Sequence, residues 1–311
     1  MIPSAENKAP SHVVRTTGHA IRCYADLGAN IDAATVHSFG EEWQAFGQFT
    51  DDDISQVGAT YFDIVRPEML GPDKSAIDFG CGTGRWTKYL HDKVASVTAV
   101  DPSDAILVAA EMLADAKNVH LYRASIDNLP FADDAFDFGF SLGVLHHIPD
   151  TAKAMRSCVQ TIKPGGYFLV YLYYALDNRG PAYKALFHVT NAVRAVVSRL
   201  PGRAKRLACD LMAVLLYMPF VLLCRILRML GVSKELRSRL PLSYYEDKSF
   251  YIIRNDALDR FGTPLEQRFT RRDITAMMHA AGLVDIEFSE KAPYWHAIGR
   301  RALPGDATGQ L

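Results

Sequence analysis

Residues Ala76-Ile77-Asp78-Phe79-Gly80-Cys81-Gly82-Thr83-Gly84-Arg85-Trp86 constrain the fold more than any other stretch of the chain. A short apolar run ends in three glycines at alternate positions, and a helix-compatible segment follows. Glycine lets a backbone turn tightly and approach a ligand closely, and the first turn of a helix offers free N–H groups. The pattern predicts a buried strand feeding a ligand-binding loop. The dinucleotide fingerprint Gly-x-Gly-x-x-Gly is not met: counted from Gly80 it needs a glycine where Arg85 stands, and counted from Gly82 it needs one where Thr87 stands. A carboxylate at the loop entrance, Asp78, would repel a pyrophosphate but can hold an ammonium group.

Around this loop the pattern alternates. Ala76–Phe79, Ser96–Val100, Val119–Tyr122, Phe136–Leu142 and Tyr167–Leu172 are strand-like, with helix-like stretches near 84–94, 103–116 and 151–162. Such alternation argues for a parallel sheet with helices on both faces. Lys163-Pro164-Gly165-Gly166 reads as a turn launching a strand. Thr270-Arg271-Arg272-Asp273 has capping-box spacing and predicts a helix from Arg271 to His279. Val284–Phe288 and Trp295–Gly299, joined by Glu290–Tyr294, are too close for a parallel crossover and must be antiparallel.

Between them the alternation breaks. Leu186, Val189, Val193, Val196 and Leu200 line one helical face, and a second helical stretch near 204–230 holds the apolar run Leu211–Cys224 with Pro219 inside. Residues 179–240 carry 12 Lys/Arg against 2 Asp/Glu, in a chain whose net charge is −1. The balanced total gives no sign of nucleic acid. The 14-residue run is shorter than the roughly 20 residues a membrane span needs. Two readings follow: the insertion packs on the core or on a second subunit as a homodimer, or it makes a peripheral contact with an anionic membrane from the cytoplasmic side or forms a lid for an amphipathic or phosphate-bearing acceptor. Five scattered cysteines without a Cys-x-x-Cys pair suggest neither disulfides nor zinc, and no metal site is indicated. With a polar N-terminus, the cytoplasm is the expected compartment. The expected organisation is an N-terminal helical lid over 1–70, a core of 71–178 and 246–302, the insertion 179–245, and loose ends at 1–12 and 303–311.

Asp101 ends the second strand, where a carboxylate suits two ribose hydroxyls or, alternatively, caps the following helix. With Asp127-Asn128-Leu129-Pro130-Phe131, Phe136-Asp137, Leu145-His146-His147-Ile148-Pro149-Asp150 and Lys163-Pro164-Gly165-Gly166 in matching order, the chain resembles the class I S-adenosylmethionine-dependent methyltransferases, specifically their small-molecule subgroup. The resemblance covers 70–178 strongly and 268–301 moderately. It implies a doubly wound, mostly parallel seven-stranded α/β sheet of order 3-2-1-4-5-7-6 and S-adenosylmethionine as cofactor. Asp78 with Gly80, Cys81, Gly82, Thr83 and Gly84 would cradle its aminoacyl part. Asp101 with Pro102 and Ser103 would hold the ribose, Ser125 and Ile126 would flank the adenine, and Ser141, Leu142 and Gly143 would line the methionine side. Many relatives carry an acidic residue where Ser125 stands.

The sulfonium methyl is already activated, so the protein has to align a nucleophile and, for a hydroxyl, take its proton. His146 and His147 follow the fourth strand, with His146 the first choice of base and loop-shaping the competing role. Their side chains are expected to diverge as neighbours on a strand end do. Tyr171, Tyr173, Glu266 and Arg268 are candidate substrate contacts. Trp43, with Phe46 and Phe49, is a candidate cofactor lid or else packs the core. The expected activity is methyl transfer to a small-molecule, glycan or lipid acceptor at oxygen. The rivals are transfer to nitrogen or carbon, a cofactor-binding protein without catalysis, and a nucleotide oxidoreductase.

Overall fold

In the computed structural model, which describes residues 6–45, 50–175, 190–238 and 240–306, the strands join one mostly parallel sheet. They are β1 (His12–Arg15), β2 (Ala20–Cys23), β3 (Gly71–Phe79), β4 (Val94–Val100), β5 (Val119–Arg123), β6 (Phe136–Leu142), β7 (Ile162–Tyr171), β8 (Leu283–Phe288) and β9 (His296–Arg301). Their order is β1-β2-β5-β4-β3-β6-β7-β9-β8. Setting β1 and β2 aside, this is the expected 3-2-1-4-5-7-6 arrangement, and β9 lies antiparallel to both β7 and β8.

The sheet has nine strands among the described residues, not seven. The two extra ones come from the N-terminal segment expected to be helical, and β2 pairs in parallel with β5 through Ile21–Leu121. Four-residue strands are too short to impose a readable period, yet Ile21 and Cys23 are both buried. The segment before them is also fixed. The Glu6 carboxylate accepts from Tyr122 at 2.6 Å and pairs with Arg22 at 3.1 Å, so residues from Glu6 onward are not a loose end.

The core lies on both faces of the sheet. One face gathers Phe79, Phe136 and Phe168 under α5 (Thr151–Gln160) and α8 (Arg271–Ala280); the other gathers Phe138, Phe140 and Leu90 under α3 (Arg85–Leu90) and α4 (Ala105–Met112). Phe136 and Phe138, two residues apart, pack in the two different core clusters, and the β6–β7 register shifts between them, with the extra residues on β7. Lys163-Pro164-Gly165-Gly166, expected as a turn before the strand, lies inside β7 at this irregularity, with Gly165 at φ +83°. At α8 the capping box forms: Thr270 Oγ1 accepts from Asp273 N at 3.1 Å, and the Asp273 carboxylate accepts from Thr270 N at 2.9 Å.

The chain divides into two compact units, Met1–Asn178 with Leu265–Leu311, and Arg179–Pro264. The second unit runs past residue 245, where the sequence placed the return to the core, because α7 (Phe250–Gly262) belongs to it. Its long helix α6 (Gly202–Met229) spans 28 residues and passes through a π-turn at Ala213–Tyr217 just before Pro219. A wide turn there accommodates the missing proline N–H without breaking the helix. Apolar surface and length together make α6 long enough to cross a membrane, which the 14-residue run alone did not suggest. One face of α6, through Cys209, Ala213, Tyr217, Val221 and Cys224, is buried. Tyr217 donates to Asp256 of α7 at 3.0 Å, and Arg254 grips Asp210 with two bonds of 2.7 and 2.6 Å.

Candidate functional site

The glycine loop sits where β3 meets α3, and each glycine has a conformational reason. Gly80, Gly82 and Gly84 have φ of +80°, +53° and +81°. A Cβ on Gly80 would lie 2.4 Å from a Val144 methyl, and one on Gly84 would lie 2.8 Å from Leu113. The loop therefore threads between the end of β6 and helix α4 with no room for side chains. Beside it, Thr83 Oγ1 is buried without a hydrogen-bond partner. An orphaned hydroxyl at a glycine loop marks a place where a ligand atom completes the bonding.

Two carboxylates flank this loop. Asp78 is fully buried and accepts from Thr87 Oγ1 at 2.7 Å. Burial raises its pKa to about 7; the charge of Asp101 adds to the rise, while Thr87 and Arg85 oppose it. Asp101, at the end of β4, accepts from Gly82 N at 2.9 Å on one oxygen. Its other oxygen accepts from Ser103 N at 2.8 Å and Ser103 Oγ at 2.6 Å. Both sequence readings of Asp101 thus have a geometric counterpart. It orders the helix entry through Pro102 and Ser103, and it retains one of roughly four acceptor positions for a ligand hydroxyl. Accepting two would require the Ser103 hydroxyl to turn away. Cys81 is buried between these carboxylates, and burial followed by their charges pushes its thiol well up, so it stays protonated.

Ser125 and Ile126 follow β5, both buried. The Ser125 oxygen accepts from Asp127 N at 3.2 Å. Asp127 is an anchor that the sequence did not single out. Its carboxylate accepts from Ala29 N and Asn30 N, each at 2.8 Å, and pairs with Lys153. Asn30 exchanges two bonds of 2.8 Å with the backbone of Asp150. The N-terminal segment is in this way strapped across the loops after β5 and β6, and α1 (Ala33–Ala45) follows. The Trp43 side chain, Phe46 and Phe49 lie outside the described residues.

Ser141, Leu142 and Gly143 end β6. The Ser141 hydroxyl donates to Phe79 O at 2.9 Å, which leaves Leu142 and Gly143 (φ +81°) at the strand mouth. The next turn, Leu145–His147, is 3₁₀ rather than extended, so the two histidines do not alternate across a strand as expected. Their rings lie 4.0 Å apart. His146 is completely buried and stacks on Tyr173 at 3.9 Å, and neither ring nitrogen has a hydrogen-bond partner. Burial, then His147 and Arg268, push its pKa far down, so its imidazole is neutral. His147 meets Phe39 of α1 edge-on at 4.9 Å, and its Nδ1 lies 2.7 Å from the Leu265 carbonyl. A carbonyl only accepts, so Nδ1 carries the proton and Nε2 of the neutral ring is the basic nitrogen.

The four candidate substrate residues converge on the same place. Tyr171 and Tyr173 are 5.7 Å apart, Arg268 lies over Tyr173 at 5.4 Å, and Arg268 pairs with Glu266 at 2.7 Å. The second oxygen of Glu266 is buried with no hydrogen-bond partner. Tyr61, from α2 (Asp51–Tyr61), meets Tyr171 edge-on at 5.1 Å. Beyond it His296 is clamped by Asp63 at 2.8 Å and by Pro293 O at 2.8 Å. Nothing local announced that pair, since Asp63 and His296 meet only through the sheet. The arrangement sets two carboxylates and a glycine turn at the ends of β3 and β4, next to a cluster of aromatic rings and a neutral imidazole at the ends of β6 and β7. It suits a ligand bearing an ammonium and hydroxyls, set next to a flat acceptor.

A family model described as a methyltransferase domain matches residues 77–170. The chain is similar to the ubiquinone biosynthesis O-methyltransferase of Marinobacter nauticus, with 30% identity over 182 residues, covering 55% of this chain and 73% of that protein. It is 28% identical over 180 residues to the ubiquinone biosynthesis O-methyltransferase of Saccharophagus degradans, covering 55% and 72%. A shorter match, 39% over 98 residues, links 29% of it to 39% of the demethylmenaquinone methyltransferase of Staphylococcus aureus.

Proposed function

The chain belongs to the class I S-adenosylmethionine-dependent methyltransferases, with S-adenosylmethionine as methyl donor to a small-molecule acceptor, and we propose that it methylates a hydroxyl of a flat, apolar, quinol-type acceptor. The observation that carries this reading is the 2.7 Å contact between His147 Nδ1 and the Leu265 carbonyl. The Nδ1–H of His147 is spent on that carbonyl, which aims a basic Nε2 away from it. A hydroxyl needs such a base, whereas a neutral amine can attack through its lone pair before it loses a proton. When bound, the donor would supply an electrophilic sulfonium methyl to the acceptor oxygen, its sulfur leaving as a neutral thioether. His147 takes the hydroxyl proton in that step. Tyr171 and Tyr173 offer aromatic faces to the acceptor ring, and Arg268 with Glu266 offers polar contacts at its edge.

On the donor side Asp78 would hold the ammonium and Asp101 a ribose hydroxyl, with Ser125 and Ile126 flanking the adenine. The strap through Asn30 and Asp127 supports a covering role for the N-terminal segment, and the cytoplasmic side is the proposed place of work.

The acceptor chemistry is tested by offering a catechol with a short prenyl tail, or its aminophenol isostere, with methyl-labelled donor. Label is expected in an ether of the catechol. Label confined to nitrogen or ring carbon sinks the oxygen reading.

Asp78 gives a second check. Its carboxyl has a pKa near 7 in the free protein, against 3.8 as the ordinary value, and only the ionised form attracts an ammonium. Donor affinity should therefore strengthen as pH rises from about 5.5 to 8 and level off above. The sign for stability is opposite. The folded carboxyl holds its proton more tightly than the unfolded one, so the unliganded protein loses stability as pH rises from 3.8 to about 7. Titration calorimetry across this range reads the first effect, and a flat affinity profile leaves Asp78 with a purely structural role.

A further inference from the structure

Helix α6 carries an apolar surface that its own unit leaves uncovered. Between Leu211 and Cys224 no residue is charged. On the outward side Leu211 is 52% exposed, Leu215 67%, Ile226 52% and Met229 85%. Leu222 and Leu223 lie between them, also exposed. The run is about 21 Å long at 1.5 Å per residue. Exposed Arg203 and Arg206 stand at one end; at the other, half-buried Arg225 donates to the carbonyls of Glu246 and Lys248, and exposed Arg228 pairs with Asp247.

We propose that this face of α6 is a docking surface for an anionic lipid bilayer, with the helix lying in the plane of the interface. Three features on the helix select this occupant. Its inner face is fixed by polar bonds to the rest of its unit, through Tyr217 to Asp256 and Asp210 to Arg254, so lipid does not surround it as it would a spanning helix. Its outer face has the composition of an interfacial helix, apolar along its length with cations at the margins. The sequence at both ends is net basic: Arg203, Lys205 and Arg206 against Asp210 at one, and at the other Arg225, Arg228, Arg237 and Lys248 against Glu246 and Asp247, with which Arg228 and Arg237 pair. A twofold pair of this helix with a second copy would set like charges against each other in either orientation, whereas anionic headgroups oppose all of them.

The test uses the full chain and phospholipid vesicles without any methyl acceptor, so it is independent of the reaction assigned above. Co-sedimentation is measured with phosphatidylcholine vesicles and with vesicles containing about a quarter phosphatidylglycerol. Binding is expected only to the latter. It should weaken several-fold when salt rises from about 0.1 M to about 0.5 M, as the Debye length contracts from roughly 10 Å. The double variant Leu215→Gln/Ile226→Gln should lose at least about tenfold in partitioning, while Arg203→Glu/Arg206→Glu should lose chiefly the salt-sensitive part. Each variant is checked by circular dichroism and by donor binding, which report on folding apart from lipid. Absence of binding by the folded parent protein overturns the proposal. So does a salt-resistant dimer that Leu215→Gln dissociates, which assigns the face to a second copy. Retention in cell membranes after an alkaline carbonate wash overturns it in favour of a spanning helix.

Discussion

His147→Ala should lower turnover by about 10²–10⁴-fold, the span usual for loss of a positioned general base. Donor affinity should stay within about twofold, because the ring meets Phe39, His146 and Leu265 rather than the glycine loop. The rising limb of the pH–rate profile should vanish, since the neutral ring is the active form, and added imidazole should restore part of the rate. His146→Ala separates a base from a positioning role. His146 is completely buried against Tyr173 and held neutral, so its loss should disturb packing of the aromatic mouth and raise the acceptor KM more than it lowers kcat. Full turnover in His147→Ala would mean that no acceptor hydroxyl has to be deprotonated there.

The other large effect belongs to the glycine loop. Gly82→Asp should weaken S-adenosylmethionine binding by on the order of 10²-fold or more. A residue with a side chain at φ +53° is strained by about 1–3 kcal/mol. The added carboxylate would also stand near Asp101, to which Gly82 N already donates, and like charges resist sharing a site. Gly82→Ala isolates the first contribution and should cost only about five- to tenfold, near 1 kcal/mol. Isothermal calorimetry on both variants, with circular dichroism to confirm the fold, measures the difference. Equal affinities for parent and Gly82→Asp would show that the donor does not use this turn.

How much of this was readable depended on whether the governing contact is local. Asp78-x-Gly80-x-Gly82-x-Gly84 is local; the alternation of strands with helices from residue 75 onward predicted a parallel sheet, the short Glu290–Tyr294 turn an antiparallel hairpin, and the family resemblance implied the strand order. The capping box at Thr270 was equally legible, because three residues specify it. Asp127 was not, since its partners Ala29 and Asn30 lie nearly a hundred positions away. The same holds for Asp63 and His296, and for Glu6 beneath Tyr122. The histidine pair was found by type but misjudged in orientation. A 3₁₀ turn was read as a strand end, and the contacts that distinguish the two rings, Tyr173 for His146 and the Leu265 carbonyl for His147, come from distant segments. The insertion was visible as basic and apolar, while its extent was not, because α7 mixes polar and apolar residues without a clear stripe.

The pairing of β2 with β5 has a practical consequence for anyone trimming this chain to its family core. Val119 and Leu121 are buried, and β5 would form the border of a sheet starting at β3. Cutting away the first seventy residues would strip β2 from it and bare its backbone N–H and C=O groups beside those apolar side chains. Bare strands of this kind recruit strands from other molecules. β1, the border on this side among the described residues, is only four residues long and carries exposed His12 and Arg15, both of which discourage such recruitment. A shortened version made for crystallisation or screening would therefore gain an adhesive flank, and the fragment that looks minimal by family boundaries is not the smallest well-behaved one.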